Sequence, residues 1–323
     1  MDSTMMFSSL TLTGDNIPKP ITLSRQDDFP SCQFNFTRSV YRDRPDWEPS
    51  PRPEHGHLSL RLGKRIAGGR SAVVYAAEIL TESKPGEIPP SDPLPSEREL
   101  CVKIARPNRC RTLAREAWFC DQLSLGQLQG IIAPRAYGFF TADVSRDHQT
   151  FPPWGSKDFQ LKISDEDSQD DPTRDDPLPD DESLGEARCR KRPGARGRSP
   201  WCHWRPDPNS PLLAVIVMSR GGATYTRKDD ADQANQTDIR AILDDLSDIY
   251  MWHGDLRPNN LVRAPASTLP CSKHGCVHKW NIIDFAWTTA DDTDGDIDVK
   301  LRTIHNLQLV CYRNHYFWTG STT

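Results

Sequence analysis

The feature that most restricts the fold of this chain is a charged segment that divides its apolar residues into two blocks. Residues 142–209 contain a run rich in carboxylates at 165–182, followed by a basic run at 188–198. Segments of this composition cannot bury enough apolar surface to offset the entropy lost on ordering them. We therefore predict a disordered insertion at 142–209, with the folded core built from the residues on either side of it.

The N-terminal residues are also poor in apolar patterning. Residues 1–57 are polar and end in a proline-rich run at 45–53, which is typical of irregular chain. We expect an irregular tail there, followed by one domain at 58–323 that the insertion interrupts. The composition agrees, because only 36% of the residues are hydrophobic and 27 are proline.

The first apolar block predicts a glycine-tipped hairpin, a strand and a helix. Residues 58–62 alternate apolar and polar side chains, Gly68-Gly69 marks a turn, and 73–77 resume with β-branched and aromatic residues. A short apolar strand follows at 100–104. Residues 112–125 have apolar positions at helical spacing, with Thr112 as the expected N-cap.

The second apolar block predicts two strands and two helices. A continuous apolar run at 212–218 leads into glycines, as a buried strand does before a loop. Residues 238–252 carry an apolar stripe at i, i+3, i+4 and i+7, which indicates an amphipathic helix. A strand at 280–283 and a helix within 293–313 complete the pattern.

Charge and cysteine usage exclude several functional classes. A net charge of −5 argues against a broad nucleic-acid-binding surface, so no nucleic-acid partner is expected. The nine cysteines are scattered without a tight framework, which favours reduced thiols. The sequence has neither a signal-peptide pattern nor an apolar stretch long enough to cross a bilayer. We expect an intracellular protein, cytoplasmic or nuclear, with no membrane partner.

Several chemically informative residues occur in a fixed order along these elements. Gly69 lies in the hairpin turn, Lys103 in the next strand and Glu116 on the helix that follows. The string 253–262, His-Gly-Asp-Leu-Arg-Pro-Asn-Asn-Leu-Val, comes after the amphipathic helix, and Asp284-Phe285-Ala286 after the last strand. Over 58–290 the chain resembles the protein kinase superfamily of serine/threonine type.

The resemblance implies both a fold and an activity. The fold would be α+β and bilobal, with a small N-lobe sheet carrying one helix and a truncated, mainly helical C-lobe. The C-lobe would be short because 39 residues follow Asp284 (323 − 284) and no Ala-Pro-Glu triplet is present. The activity would be transfer of the γ-phosphate of Mg-ATP to a serine or threonine hydroxyl of a protein substrate that the sequence does not identify.

The resemblance also implies which residues hold ATP and Mg²⁺. Lys103 would contact the α- and β-phosphates and be held by Glu116, while Asn260 and Asp284 would ligate Mg²⁺ through hard oxygen donors. Small residues in the turn let backbone N–H groups approach phosphates closely. The remaining expected nucleotide contacts are Gly68, Gly69, Ala72, Val74, Met218, Ser219, Gly221 and Val262.

Two residues of the 253–262 string are expected to act in catalysis. Asp255 would accept the proton of the substrate hydroxyl, and Arg257 would reach the γ-phosphate. Gly254 stands where the family usually has arginine, and His-Gly-Asp also occurs in small-molecule kinases of the aminoglycoside and choline type. A nucleotide-binding or partner-binding scaffold without turnover, which the shortened end of the fold supports, is a second hypothesis, and a small-molecule kinase, which His-Gly-Asp supports, is a third.

The spacing between Asp255 and Asp284 is 29 residues (284 − 255), longer than the family pattern. The additional length contains Cys271, His274, Cys276 and His278. These residues could supply four zinc ligands, although they lack the paired spacing of known zinc modules. An ordinary loop with incidental thiols is the competing interpretation, and we favour it on sequence alone.

Overall fold

The computed structural model describes most of the chain. The described residues are 7–42, 44, 48, 53–83, 99–144, 151–157, 159, 175, 178–181, 194–291, 295–314 and 317–318.

Strands dominate the described residues. They are β1 (Ser9–Gly14), β2 (Ile17–Arg25), β3 (Gln33–Asn35), β4 (Val40–Arg42), β5 (His57–Gly68), β6 (Ala72–Ser83), β7 (Leu100–Ala105), β8 (Ala136–Asp143), β9 (Leu212–Ser219), β10 (Met251–Trp252), β11 (Leu261–Arg263), β12 (Trp280–Ile282) and β13 (Thr289–Asp291). The helices are α1 (Cys110–Leu125), α2 (Ala195–Arg198), α3 (Arg227–Asp230), α4 (Gln233–Asp248) and α5 (Ile297–Arg313).

Seven of these strands close into a barrel in the order β1-β2-β8-β9-β7-β6-β5. Closure depends on β1, which pairs antiparallel with β2 and parallel with β5. Inward-facing side chains from β1, β2, β5, β7 and β9 form one buried cluster that fills the interior. Because each strand pairs on both sides, the barrel leaves no open edge along its circumference.

The prediction of a bilobal protein-kinase-like fold is wrong. The structure has a closed seven-stranded barrel where a small open sheet was expected, and the described residues beyond it contain few helices rather than a mainly helical lobe. The sheet is closed rather than open because β1 and β2 complete the barrel. The expected irregular tail at 1–57 is therefore replaced by strands at Ser9–Gly14 and Ile17–Arg25.

A short-range pattern in the N-terminal segment accounts for its strands. Leu10 and Leu12 alternate with threonine, and Ile21 and Leu23 do the same across the turn. All four are buried in the barrel interior. Their alternation has the period of a strand with one buried face, but serine- and threonine-rich composition obscures it.

The second half of the chain packs around helices α4 and α5. A buried cluster joins α1, α4 and β12 and includes Trp118 and Trp280. Helix α4 begins at Gln233, earlier than predicted, because the Asp232 side chain caps it by accepting a hydrogen bond from Ala234 N. It ends at Asp248, and the chain turns through Tyr250 at φ 59° into β10. Within the described residues no helix is both long and apolar enough to span a bilayer.

Parts of the predicted disordered insertion are ordered. Asp180 is fully buried and forms ion pairs with Arg196, at 2.9 Å, and with Arg115 of α1, at 3.3 Å. Trp201 is also buried and donates from Nε1 to Asp27 O at 2.7 Å. Opposite charges that pair across a long sequence separation can be buried together, which composition alone does not reveal. Most of the predicted acidic run at 165–182 lies outside the described residues.

Candidate functional site

Lys103 lies at the centre of a buried ionic cluster. Its position on β7, inside the barrel sheet, directs the side chain toward α1, where Nζ donates to Glu116 Oε2 at 2.6 Å. The same ammonium donates to Asp284 Oδ1 at 2.9 Å. The Lys103 and Glu116 side chains are 13% and 4% exposed, whereas that of Asp284 is 40% exposed. The cluster therefore opens toward solvent on the side of Asp284.

Burial and charge act in opposite directions on the ionisation of this cluster. Burial opposes the charge of Lys103, but Asp284 and Glu116 outweigh it and hold its pKa above the ordinary value. Burial raises the pKa of Glu116 to about 7, although the Lys103 ammonium opposes the shift. Burial also disfavours ionised Asp284, yet Lys103 dominates and lowers that pKa. The lysine and Asp284 are thus charged at neutral pH, while Glu116 titrates close to it.

Helix α1 fixes both partners of the lysine. Glu116 is presented directly, and the neighbouring Arg115 is completely buried and donates to the carbonyls of Ala286 and Thr288, the second at 2.8 Å. These carbonyls follow Asp284, whose backbone is left-handed at φ 68° and ψ 66°. Aspartate tolerates this conformation better than most residues. The arginine thus holds the turn that aims the Asp284 carboxylate at Lys103.

Asp255 and Asn260 form a second polar group on the loop between β10 and β11. The Asn260 amide nitrogen donates to Asp255 O at 2.8 Å and lies 3.3 Å from Asp255 Oδ2. Arg257 Nε lies 2.6 Å from Asp255 Oδ1. Burial raises the pKa of Asp255 despite the nearby arginine. Because Ile283 N donates to Asn260 O at 2.9 Å, this loop is tied directly to the residue before Asp284.

His253 links the loop that carries Asp255 to the segment that carries Asp284. Its ring is fully buried, and Nε2 donates to Ile283 O at 2.9 Å. Thr288 Oγ1 donates to the backbone carbonyl of His253 at 3.3 Å. Burial lowers the pKa of His253, so a neutral imidazole with its proton on Nε2 fits the contact. The histidine acts as a positioning residue for Asp255 and Asp284.

Gly254 is required by the packing of this loop. Its φ is +74°, and a Cβ atom there would lie 2.3 Å from Trp287 O. An arginine at this position, as the family usually has, would therefore not fit.

The glycine hairpin lies along the strand that carries Lys103. In the β6–β7 pair, Val74 is opposite Lys103 and Ala72 is opposite Ala105. Gly69 closes the turn by donating from N to Ala72 O at 2.9 Å. A Cβ at Gly69 would meet nothing within 4 Å, and one at Gly68 would meet only the flexible end of Arg65. The fold itself thus does not require glycine at the hairpin turn.

Other residues expected to contact the nucleotide lie on the other side of β7, on β9 and just after it. Met218 and Ser219 of β9 pair with Cys101 and Leu100, two and three positions before Lys103. Gly221 approaches Val262 of β11 so closely that a Cβ would lie 2.5 Å from its Cγ2. The structure therefore places Met218 and Ser219 beside the start of the strand that carries Lys103, and packs Gly221 against Val262 of β11.

Sequence reasoning missed two buried residues that support the site. Arg115 holds the turn after Asp284, as described above. Gln308 of α5 donates from Nε2 to Leu243 O at 3.1 Å, Ser247 Oγ at 3.0 Å and Met251 O at 3.3 Å, and its Oε1 lies 3.5 Å from His253 N. A glutamine among apolar helix positions was the available signal, because buried amides need partners.

Comparisons with known proteins give little further information. The chain matches no family model and no curated protein by sequence. The crystal structure of a BubR1 kinase domain is weakly similar, with 12% sequence identity and a TM-score of 0.35. The similarity covers 80% of this chain and 54% of that domain, so the chain spans about half its length. A likeness at this level does not bear on function.

Proposed function

We propose that the protein binds Mg-ATP at the ionic cluster and transfers the γ-phosphate to a hydroxyl group. The observation that carries the proposal is the position of Lys103, whose ammonium contacts both Glu116 and Asp284 while Asp255 and Asn260 are tied to the residue beside Asp284. One positive charge flanked by oriented oxygen donors is what a metal-bound polyphosphate requires. The acceptor we favour is a protein serine or threonine, as the sequence resemblance implies.

Asn260 and Asp284 would supply the ligands of the magnesium ion. The Asn260 amide nitrogen donates to the backbone carbonyl of Asp255, so the amide oxygen is the atom that would ligate the ion. Asp284 uses Oδ1 for Lys103, and its ionised carboxylate is partly exposed. Both supply hard oxygen atoms, which Mg²⁺ prefers. Bound magnesium would neutralise charge that develops on the phosphate oxygens.

The remaining residues account for binding and proton transfer. Lys103 would hold the α- and β-phosphates, and the hairpin at Gly68-Gly69 would allow backbone N–H groups to approach them. The acceptor oxygen attacks the γ-phosphorus, the bond to the β-phosphate oxygen breaks, and ADP leaves. The hydroxyl proton passes to Asp255, whose raised pKa suits a proton acceptor.

One observation favours the second candidate, a nucleotide-binding scaffold without turnover. Both carboxylate oxygens of Asp255 already have partners, Arg257 at Oδ1 and Asn260 at Oδ2. If Arg257 stays on Asp255 when a nucleotide binds, it competes with a substrate hydroxyl for the carboxylate and lowers its basicity. Turnover is therefore favoured when Arg257 moves from Asp255 to the γ-phosphate.

The first experiment measures the thermal unfolding of the purified chain with and without Mg-ATP. A ligand that binds only the folded state raises the apparent stability by about 2.7 kcal/mol at a concentration 100 times its Kd. We expect a magnesium-dependent rise for the wild type and for Lys64→Met, a control on the exposed face of β5. We expect none for Lys103→Met or Asp284→Ala. Equal nucleotide affinity in all four proteins would refute the site.

A second experiment separates the candidate functions. Radiolabelled ATP is offered with a serine/threonine peptide mixture and, separately, with aminoglycosides and choline, using Asp255→Asn as control. Label in peptide that Asp255→Asn does not produce supports the protein kinase proposal, and label only in a small molecule favours the third hypothesis. Magnesium-dependent binding without any transfer identifies the scaffold.

A further inference from the structure

The loop between β11 and β12 carries a compact group of side chains of the types that bind metal ions, and none of them has a role in the candidate nucleotide site. Cys271, His274 and His278 of this loop converge on Asp245, which lies on α4. One ligand atom from each of the four lies within 4.8 Å of all the others. The group therefore joins residues far apart in sequence into one small polar cluster.

Four of the contacts within this group have the length expected between neighbouring ligands of a tetrahedral zinc ion, and all the ligand atoms lie within 4.8 Å of one another. Oδ2 of Asp245 lies 3.3 Å from Cys271 Sγ and 3.3 Å from His278 Nε2. His274 Nδ1 lies 3.4 Å from Cys271 Sγ and 3.3 Å from Asp245 Oδ1. Ligands about 2.0–2.3 Å from a zinc ion at tetrahedral angles are separated by roughly 3.3–3.8 Å. A zinc ion thus fits between these atoms with little movement.

Burial separates three of these four residues from ordinary surface groups, while His274 is half-buried. Asp245 and Cys271 are each 3% exposed, and His278 is 1% exposed. The Nε2 atom of His278 has no hydrogen bond of good geometry to any residue that the structure describes, although Asp245 is close. The contact of Nε2 with Asp245 Oδ2 at 3.3 Å is an ion pair only when the ring is protonated, so a neutral ring with its proton on Nδ1 has no partner for Nε2. A metal ion at the centre of the cluster would supply it.

His278 also has the supporting contact that zinc-bound histidines usually have. Its Nδ1 donates to Asp238 Oδ1 at 2.9 Å, which leaves Nε2 for the metal. The other oxygen of Asp238 accepts from the backbone nitrogens of Lys279, at 2.8 Å, and Trp280, at 3.1 Å. A carboxylate in this position fixes both the tautomer and the orientation of the ring.

We propose that Asp245, Cys271, His274 and His278 bind one structural Zn²⁺ ion. A thiolate with two imidazoles favours zinc over magnesium or calcium. One thiolate and one carboxylate also balance the charge of the ion inside a buried site. Four protein ligands leave no open position, as in structural rather than catalytic zinc sites.

Cys276 lies outside this site, in contrast to the ligand set that the sequence suggests. It is exposed, and its backbone carbonyl accepts from Cys271 N at 2.8 Å, which closes the loop. It could only join Asp238 and His278 in a three-residue group. There Asp238 is already committed to two backbone nitrogens and to His278. Cys276 is therefore a matched control for Cys271.

The position of the ion explains why this loop is long. The loop begins at the end of β11, the strand that directly follows Asn260, and it ends at β12, the strand that leads to Asp284. Zinc would fasten it to α4, the helix that leads into His253. The ion would thus join the two chain segments that carry the polar groups of the candidate site. This inference does not depend on nucleotide binding or turnover.

The test measures zinc bound to the purified full chain after dialysis against a weak chelator. We expect about one zinc ion per chain in the wild type and in Cys276→Ser, as four ligands require. Competition with a chromophoric chelator should show at least a tenfold weaker affinity for Cys271→Ser and His278→Gln. Asp238→Asn should weaken zinc binding about 10- to 100-fold, because its amide oxygen can still accept from Lys279 N and Trp280 N while the contact behind His278 is lost.

A cobalt experiment tests the proposal first on the wild type, where the folding of a variant plays no part, and then uses two variants to identify the thiolate ligand. Replacing zinc by Co²⁺ in the wild type should give the intense visible bands of a tetrahedral ion and a near-ultraviolet thiolate-to-cobalt band. Loss of the thiolate band in Cys271→Ser but not in Cys276→Ser supports the ligand set. No zinc in the wild type, weak octahedral cobalt bands, or zinc loss caused by Cys276→Ser would each overturn it.

Discussion

Gly254 offers a sharp test of how the candidate site is held together. Its backbone has φ +74°, and a Cβ atom would meet Trp287 O at 2.3 Å. Gly275 has a similar φ of +63°, but a Cβ there would meet nothing within 4 Å. Substituting each glycine by alanine therefore imposes similar backbone strain, while only Gly254→Ala adds a steric overlap.

The expected magnitudes follow from these two effects. A left-handed conformation costs a residue with a side chain about 1–2 kcal/mol, which is the whole expected effect of Gly275→Ala. Forcing an extra carbon into close packing costs about 1–3 kcal/mol more, so Gly254→Ala should lose roughly 2–5 kcal/mol in the free energy of unfolding. Trp287 must also shift, and the turn that it shares with Asp284 shifts with it.

Urea denaturation of the wild type and both variants measures the stabilities, and Mg-ATP titration measures the effect on the site. We expect Gly254→Ala to lose both stability and nucleotide affinity, and Gly275→Ala to lose a smaller amount of stability alone. Equal free energies of unfolding for the two variants would refute the steric argument. It would mean that the turn at Trp287 adjusts without cost.

Two further predictions concern residues around this loop. Glu116 has a folded-state pKa of about 7 against an ordinary value of 4.5, so its contribution to stability is complete below about 4.5 and is lost as the pH rises to about 7. The stability of the wild type minus that of Glu116→Gln, from urea denaturation at several pH values, should fall across this window and then level off. A difference that rises with pH would contradict the assignment. Gln308→Leu should cost about 1–3 kcal/mol, because it leaves the buried His253 N–H and nearby carbonyls without this partner. The exposed Gln233→Leu on α4 is its control, and equal losses in the two would exclude a special role for Gln308.

Local patterns predicted most of the regular elements but not their assembly. The hairpin of β5 and β6, the strand β7 and the helix α1 lie where alternation and helical spacing indicated, except that α1 begins at Cys110, so Thr112 lies inside the helix and is not its N-cap. The barrel could not be predicted in this way, since its closure is a pairing between β1 and β5 across a proline-rich segment. Nothing in residues 9–14 alone specifies a parallel partner at 57–62.

The candidate site shows the same division between local and long-range information. A resemblance named Lys103, Glu116 and Asp284, and the structure brings the three into contact, while their roles in ATP binding remain a proposal. The proposed zinc cluster differs, because sequence proximity suggested Cys276 where the fold supplies Asp245 from another element. A ligand contributed by a distant helix leaves no trace in the spacing of the loop.

The residues that sequence reasoning missed share a physical property that explains why they were missed. Arg115 and Gln308 hold the site chiefly by donating hydrogen bonds to backbone carbonyls, at Ala286, Thr288, Leu243 and Met251. A backbone acceptor is the same whatever side chain it carries, so the acceptor positions show no compositional signal. The donors, by contrast, must be long and polar and must be buried. In this fold, substitution of the donor should therefore disturb the site far more than substitution of the residues that it contacts.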